Sequence, residues 1–257
     1  KLIFFYTIKK YQKKLMFNLI NKYMNSNYPN NEVNNYSHNI LGTNIYDDPN
    51  DKQDSIYFGC GCFWGAEKCF WKLPGVYTTS VGYAGGEKIN PSYNEVCTGT
   101  TGHAEVVKVV WNTEEIDISD LLKMFWECHD PTQKNRQGND AGTQYRSAIF
   151  YKKNNNLEKI KNSKIAFQKA LSLSNFGNIE TEIKKIDEYY FAEKYHQQYL
   201  ARTGSRQYCS ASPTKIKLDV FNGSNYKTND KIWENFNWDI DKCVLRSSND
   251  PIDIKKL

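Results

Sequence analysis

Two thiols stand beside two large aromatics in Gly59-Cys60-Gly61-Cys62-Phe63-Trp64-Gly65, and three glycines box them in. Glycine is favoured where backbone turns sharply or passes close to another group. A cysteine held in such a turn can be a nucleophile, a metal ligand or a packed side chain, and the heptapeptide alone leaves all three open. Further along stand an acid, Glu105, two tyrosines, Tyr93 and Tyr145, and Asp140 within Gly138-Asn139-Asp140-Ala141-Gly142. Taken singly, each has a plain reading. Glu105 opens a strand and reads as a solvent-facing acid. Tyr93 and Tyr145 belong to a chain with 18 tyrosines and read as packing residues. Asp140 reads as a turn residue. No pair among His103, His129 and His196 has close ligand spacing, so no metal is expected. His129, beside Asp130-Pro131, reads as a helix end. Cys60 reads as a small buried apolar residue, although a Cys-x-Cys pair could close its own strained disulfide. Cys69, Cys97 and Cys128 read the same way.

These residues need elements to position them. Ser55-Ile56-Tyr57-Phe58 predicts a short buried strand, and Ala66 to Lys72 a helix closed by Pro74-Gly75. Strand, glycine turn and helix place the Cys62 sulfur near a helix N-terminus, where unpaired N–H groups and the dipole favour the thiolate and lower its pKa. Phe63 and Trp64 then flank the sulfur as an apolar floor. Strands are also predicted at residues 76–83, 103–111, 145–151 and 181–186. Helices are predicted at residues 120–128, with Ser119 as N-cap, along the face Leu157, Ile160, Phe167, Ala170 and Leu171, and over the Tyr-rich residues 188–200. Strands and helices mix without strict alternation, which predicts an α+β fold, a two-layer sandwich with a mixed central sheet.

Polarity divides the chain. Mean hydropathy is −0.72, but the periodic apolar pattern concentrates in residues 55–211, the expected single globular domain. Residues 1–54 and 212–257 read as polar extensions, mobile or loosely docked. The net charge is +5, and six lysines precede the first acid, Glu32. That leading stretch lacks the apolar core of a secretory signal and is too short and charged to span a bilayer. It is compatible with an organellar transit segment, although Arg is absent, so the expected setting is the cytoplasm or an organelle. Elsewhere Lys interleaves with Glu and Asp, which argues against nucleic acid. Seven irregularly spaced cysteines do not form a disulfide framework and point to a reducing compartment.

Longer runs carry a resemblance. Residues 90–105 (NPSYNEVCTGTTGHAE), 125–133 (FWECHDPTQ), 136–147 (RQGNDAGTQYRS) and 196–200 (HQQYL) follow the heptapeptide in order. Over about residues 55–209 the chain resembles the A-type peptide methionine sulfoxide reductases, which act on the S epimer. The resemblance implies Cys62 as nucleophile, Glu105 as acid, and Tyr93, Tyr145 and Asp140 as the polar wall. It implies Phe63 and Trp64 as the pocket for the substrate's S-methyl group. The residue types suit that chemistry, because a sulfoxide oxygen leaves poorly and needs an acid and hydrogen-bond donors while sulfur is attacked. Cys62 would end as a sulfenic acid, to be trapped by a second thiol. Cys209, in Gln207-Tyr208-Cys209, falls where the family often carries Gly-Tyr-Cys before a glycine-rich tail. Here Ser210-Ala211-Ser212-Pro213 follows instead, which makes Cys243 a competitor or partner. Thioredoxin or a similar dithiol would reduce the final disulfide. The implied protein is a monomer without cofactor, acting on oxidised proteins or free methionine sulfoxide. Two rivals remain open: a thiol redox sensor or peroxidase using Cys62 with Cys209, and an idle module that binds oxidised Met.

Overall fold

The computed structural model describes residues 35–226, 230–235 and 247–252, and the residues from Ser37 on form one compact unit. Cys243 and the lysine-rich start lie outside the described residues. The chain runs β1 (Gln53–Cys60), α1 (Phe63–Trp71), β2 (Val76–Ala84), α2 (Tyr93–Cys97), β3 (Ala104–Asn112) and α3 (Ile118–Cys128). It continues through β4 (Arg136–Gln137), β5 (Asp140–Ala141), β6 (Ser147–Tyr151), α4 (Leu157–Leu173), β7 (Glu182–Lys185), β8 (Tyr189–Phe191) and α5 (Asp230–Asn235). Six strands form one mixed sheet in the order β7-β6-β1-β3-β2-β8. Only the β6–β7 pair in it is parallel. The α+β class and the mixed sheet match the sequence expectation. No helix among the described residues is long and apolar enough to cross a membrane.

Valine and aromatic runs make the central strands, and period-two alternation sorts their faces. Along β3, Val107, Val109 and Trp111 face the main core, while Ala104 and Val106 join a smaller cluster on the other side. Glu105 shares the parity of Val107, so β3 aims its carboxyl toward the helix-covered face. The main core fills the space beneath α1 and α3. There Phe58 stacks on Phe70 at 4.8 Å and on Phe125 at 5.1 Å between ring centres, each pair adding about 0.5–1.5 kcal/mol beyond burial.

Several elements differ from the sequence expectation. Residues 188–200 are not a helix: β8 pairs with the edge of β2, and the chain then turns through Gln198 at φ +46°. The Gln197 side chain bonds both the N–H and the C=O of Val81 at 2.9 Å and donates to the Ala192 carbonyl at 2.9 Å, so a side-chain amide, rather than helical pairing, satisfies main-chain groups where β8 ends. The cap of α3 is Asp117, whose Oδ1 accepts from Ser119 N at 2.8 Å, rather than Ser119. Short α2 was not expected; Ser92 and Glu95 form its capping box.

The described C-terminal residues are firmly packed, not loosely docked. Leu218, Phe221 and Ile232 enter the main core. The Leu218 N–H reaches Glu127 at 2.9 Å, and Trp233 Nε1 donates to Asp120 at 2.9 Å. Residues 247–252 lie along α1, where their carbonyls accept from Lys68 at 2.8 Å, Trp71 at 2.9 Å and Lys72 at 2.7 Å. Polar sequence concealed this docking because main-chain atoms supply much of it. At the other end, His38 is buried against β2.

Candidate active site

The end of β1 and the start of α1 set the position of Cys62. Gly61 turns the chain at φ +87°, and a Cβ there would meet the Gln137 side chain at 2.5 Å. Cys62 follows as N-cap of α1. The N–H groups of Trp64 and Gly65 point at its sulfur and lower its pKa, as a helix start should. They do not win. Burial, and then the Glu105 carboxyl, hold the Cys62 pKa well above the ordinary thiol value. The expected lowering is therefore reversed, because enclosure penalises a thiolate more than two N–H groups stabilise it.

Glu105 is 2% exposed. Its Oε2 accepts the Phe63 N–H at 3.1 Å, so it sits one residue from the thiol. Burial pushes its pKa up to about 8, opposed by the Phe63 N–H and assisted by Asp140. This carboxyl is mostly protonated at neutral pH. Tyr145 faces Glu105, Asp140 and Cys62, and burial followed by those charges raises its phenol. The Tyr93 hydroxyl meets the Cys97 thiol, and its pKa is raised by burial first, then by that thiol and Glu105. Five predicted residues thus converge: Cys62, Glu105, Tyr93, Tyr145 and Asp140.

The two aromatics divide the work. Phe63 is 1% exposed, with its ring 5.1 Å from His196, and supports the site from beneath. Trp64 is half-buried, and its indole stacks on Tyr199 at 3.8 Å and 13°. Trp64 Nε1 donates to His196 Nδ1 at 3.0 Å. Burial lowers the His196 pKa to about 4, so this acceptor is neutral at pH 7.

Asp140 is engaged by the tail. Tyr208 Oη donates to its Oδ1 at 2.7 Å, and Ser210 Oγ donates to its Oδ2. Gly138 makes that approach possible, since a Cβ there would overlap the Ser210 carbonyl. Cys209, between these two residues, is disulfide-bonded, whereas Cys60, Cys62, Cys69, Cys97 and Cys128 are free. Cys62 and Cys209 are not joined in this state.

Sequence reasoning missed His196, Tyr199 and Tyr208 as parts of the site. The His196-to-Leu200 run was a signal, but its partner Trp64 is 132 residues away. Cys60, Cys128 and His129 offer ligand atoms within 4.8 Å of one another. His129 Nδ1 donates to the Phe125 carbonyl at 2.7 Å, and Nε2 accepts from Ser147 Oγ at 2.8 Å, so neither nitrogen is available to a metal.

A half-buried thiol beside a protonated carboxyl and two phenols, on this curled mixed sheet, defines a cysteine-dependent oxidoreductase. The family model "Peptide methionine sulfoxide reductase" matches residues 54–229, and the chain belongs to that family of methionine sulfoxide-reducing enzymes. It is 52% identical over 184 residues to the peptide methionine sulfoxide reductase MsrA of Salinispora arenicola, covering 71% of this chain and 84% of that one. It is 49% identical over 183 residues to the mitochondrial peptide methionine sulfoxide reductase of Mus musculus, covering 71% and 78% respectively. Among solved structures, methionine sulfoxide reductase A of Corynebacterium diphtheriae matches with TM-score 0.62 and 42% identity, over 68% of this chain and 85% of that one. Reduced Mxr1 of Saccharomyces cerevisiae matches with TM-score 0.57 and 33% identity, over 67% and 96%.

Proposed function

We propose that this enzyme reduces the S epimer of methionine sulfoxide, free or within proteins, with Cys62 as nucleophile and Glu105 as acid. The observation that carries the reading is the Glu105 carboxyl beside Cys62, 3.1 Å from the Phe63 N–H and proton-bearing near neutral pH. The sulfoxide oxygen takes a proton from Glu105 while Cys62 sulfur attacks the sulfoxide sulfur. Tyr93 and Tyr145 donate to that oxygen, and Trp64, supported by Phe63, receives the S-methyl group. The hydroxyl then passes from the substrate sulfur to the Cys62 sulfur, as the sulfur–oxygen bond and the sulfur–sulfur bond of the adduct break. Methionine leaves, Cys62 becomes a sulfenic acid, and the Cys62 proton replaces the one that Glu105 gave. A resting thiol with raised pKa fits a peroxide-sensing thiolate poorly.

For recycling, the Cys209 thiol attacks the sulfenic sulfur, which releases water and joins Cys62 to Cys209. Tyr208 and Ser210 on Asp140 hold Cys209 at the mouth of the site. A free Cys62 beside a disulfide-bonded Cys209 suits a further exchange that displaces Cys62 from Cys209. Cys243 is the remaining cysteine that could enter it. Thioredoxin or a similar dithiol then reduces the last disulfide. The protein acts as a monomer.

Paired epimers test the reading. Wild type should consume the S-sulfoxide only, and Cys62→Ser should be inactive. Cys209→Ser should release about one equivalent of methionine and stall with thioredoxin, while dithiothreitol restores turnover. Cys243→Ser should show a weaker defect, with Cys62 trapped on Cys209. Mapping Cys62 onto Cys243, Cys60 or Cys97 with Cys209 free would overturn the recycling order. Consumption of the R epimer would overturn the substrate assignment.

A further inference from the structure

Behind the site, a second carboxyl is wholly enclosed. Glu67 lies on α1 one turn after Phe63 and Trp64 and is 0% exposed. Its Oε2 accepts the Gln198 N–H at 2.8 Å, and its Oε1 accepts from Gln198 Nε2 at 2.7 Å and from Thr79 Oγ1 at 3.1 Å. Thr79 in turn meets His38 Nε2 at 2.9 Å. Proton directions along this chain are fixed. His38 Nδ1 accepts the N–H groups of Ile40 and Leu41 at 3.1 Å, so Nε2 carries the proton and donates to Thr79. Thr79 then donates to Glu67.

The far end of the chain is the pocket wall. Gln198 sits at φ +46°, a region that non-glycine residues seldom occupy. Glu67 holds it there by both main-chain and side-chain bonds. That turn fixes the flanking residues: His196, which accepts the Trp64 indole N–H, and Tyr199, which stacks on the indole. His38 lies outside the residues 54–229 that match the family model, yet three buried hydrogen-bonded steps connect it to the Gln198 turn.

We propose that His38, Thr79 and Glu67 are positioning residues that set the orientation of Trp64 through the Gln198 turn, so that the segment before β1 helps to determine affinity for the sulfoxide. The inference rests on the reading of Trp64 as the wall of the substrate pocket. None of the three residues touches substrate. Their loss therefore acts on binding, and the chemical step at Cys62 continues at its own rate.

The test uses the full chain and free methionine sulfoxide in single-turnover experiments, together with the fluorotryptophan NMR signal of Trp64, assigned by its loss in Trp64→Phe. His38→Asn keeps an acceptor for the Ile40 and Leu41 N–H groups but removes the donor to Thr79. His38→Gln keeps a donor at the Nε2 position. We expect His38→Asn and Glu67→Gln to raise the half-saturating substrate concentration roughly fivefold to tenfold, as for one lost buried hydrogen bond. The maximal rate should stay within about twofold, and the Trp64 signal should shift. His38→Gln should stay near wild type. Should His38→Asn fail to fold, Thr79→Val with Thr79→Ser as its rescue makes the same comparison. Unchanged Trp64 signals in His38→Asn and Thr79→Val would overturn the inference. So would equal effects of His38→Asn and His38→Gln. A shifted Trp64 signal with unchanged half-saturation would keep the wiring and remove Trp64 from the pocket.

Discussion

Two glutamates are buried on either side of the first turn of α1, and both have raised pKa values with burial as the main cause. Glu105, in front, reaches about 8; Glu67, behind, reaches about 7. Their surroundings separate their roles. Glu67 accepts from Gln198 twice and from Thr79 once, with Arg202 adding attraction. Glu105 has one main-chain donor and a like charge, Asp140, pushing the other way. A carboxyl surrounded by donors is used as an acceptor and ties structure together. One that is poorly solvated keeps its proton and can deliver it. The proton on Glu105 is thus kept by withholding hydrogen bonds from its carboxylate.

The largest effect should come from the front. Glu105→Gln should slow the first turnover by about 10²- to 10⁴-fold, the usual range for loss of a general acid. In wild type, that step should fall as pH rises through about 8, where Glu105 loses its proton. The Cys62 pKa is also raised, so its ionisation would increase the thiolate as pH rises, which is the opposite sign. A falling limb present in wild type and Glu67→Gln but absent in Glu105→Gln would sharpen the contrast. The same limb in Glu105→Gln would break it.

How much of this contrast was legible in the sequence depends on distance along the chain. The strand, glycine turn and helix around Cys62 are local, and their order was readable from residues 55–72. Glu105, Tyr93, Tyr145 and Asp140 were readable through ordered family motifs, since their meeting depends on strand pairing that no single segment encodes. The sign of the Cys62 shift was not readable, because helix-end stabilisation is local and enclosure is not. Glu67 was passed over for the same reason: its partner Gln198 is 131 residues away. The Tyr-rich residues 188–200 had helical composition, but pairing with β2 overrode it.

A smaller effect tests the influence of Asp140 on the front carboxyl. Asp140 raises the Glu105 pKa, so Asp140→Asn should move the falling limb to lower pH. The rate at pH 8 should then drop a few-fold, well short of the loss in Glu105→Gln. The same substitution weakens the acceptor of Tyr208 and Ser210, so thioredoxin-dependent recycling should slow as well. Tyr208→Phe separates the two. It removes one donor to Asp140 without removing the charge, so the limb should stay in place while recycling slows. A limb that moves equally in both variants would mean that tail docking, rather than the Asp140 charge, sets the proton affinity of Glu105.

The smallest effect on chemistry belongs to the rear of α1. Trp71 is fully buried, its indole N–H donates to the Asn249 carbonyl at 2.9 Å, and the His38 ring meets it edge-on at 5.8 Å. Trp71→Phe keeps an aromatic ring for His38, loses that donor and leaves a small void. Unfolding free energy should fall by roughly 1–3 kcal/mol, read from denaturant titration of the reduced protein. The first-turnover rate should remain within about twofold, because the Phe63 N–H, Glu105 and Cys62 are set by the opposite end of the helix. Position along α1 makes this a strict test. Residues 247–252 contact Lys68, Trp71 and Lys72, whereas the site uses Cys62 to Trp64. Rigid α1 would transmit a loss at one end to the other only by shifting as a body. A slowed first turnover with unchanged stability would mean that it does, and that the C-terminal segment tunes the acid as well as holding the fold.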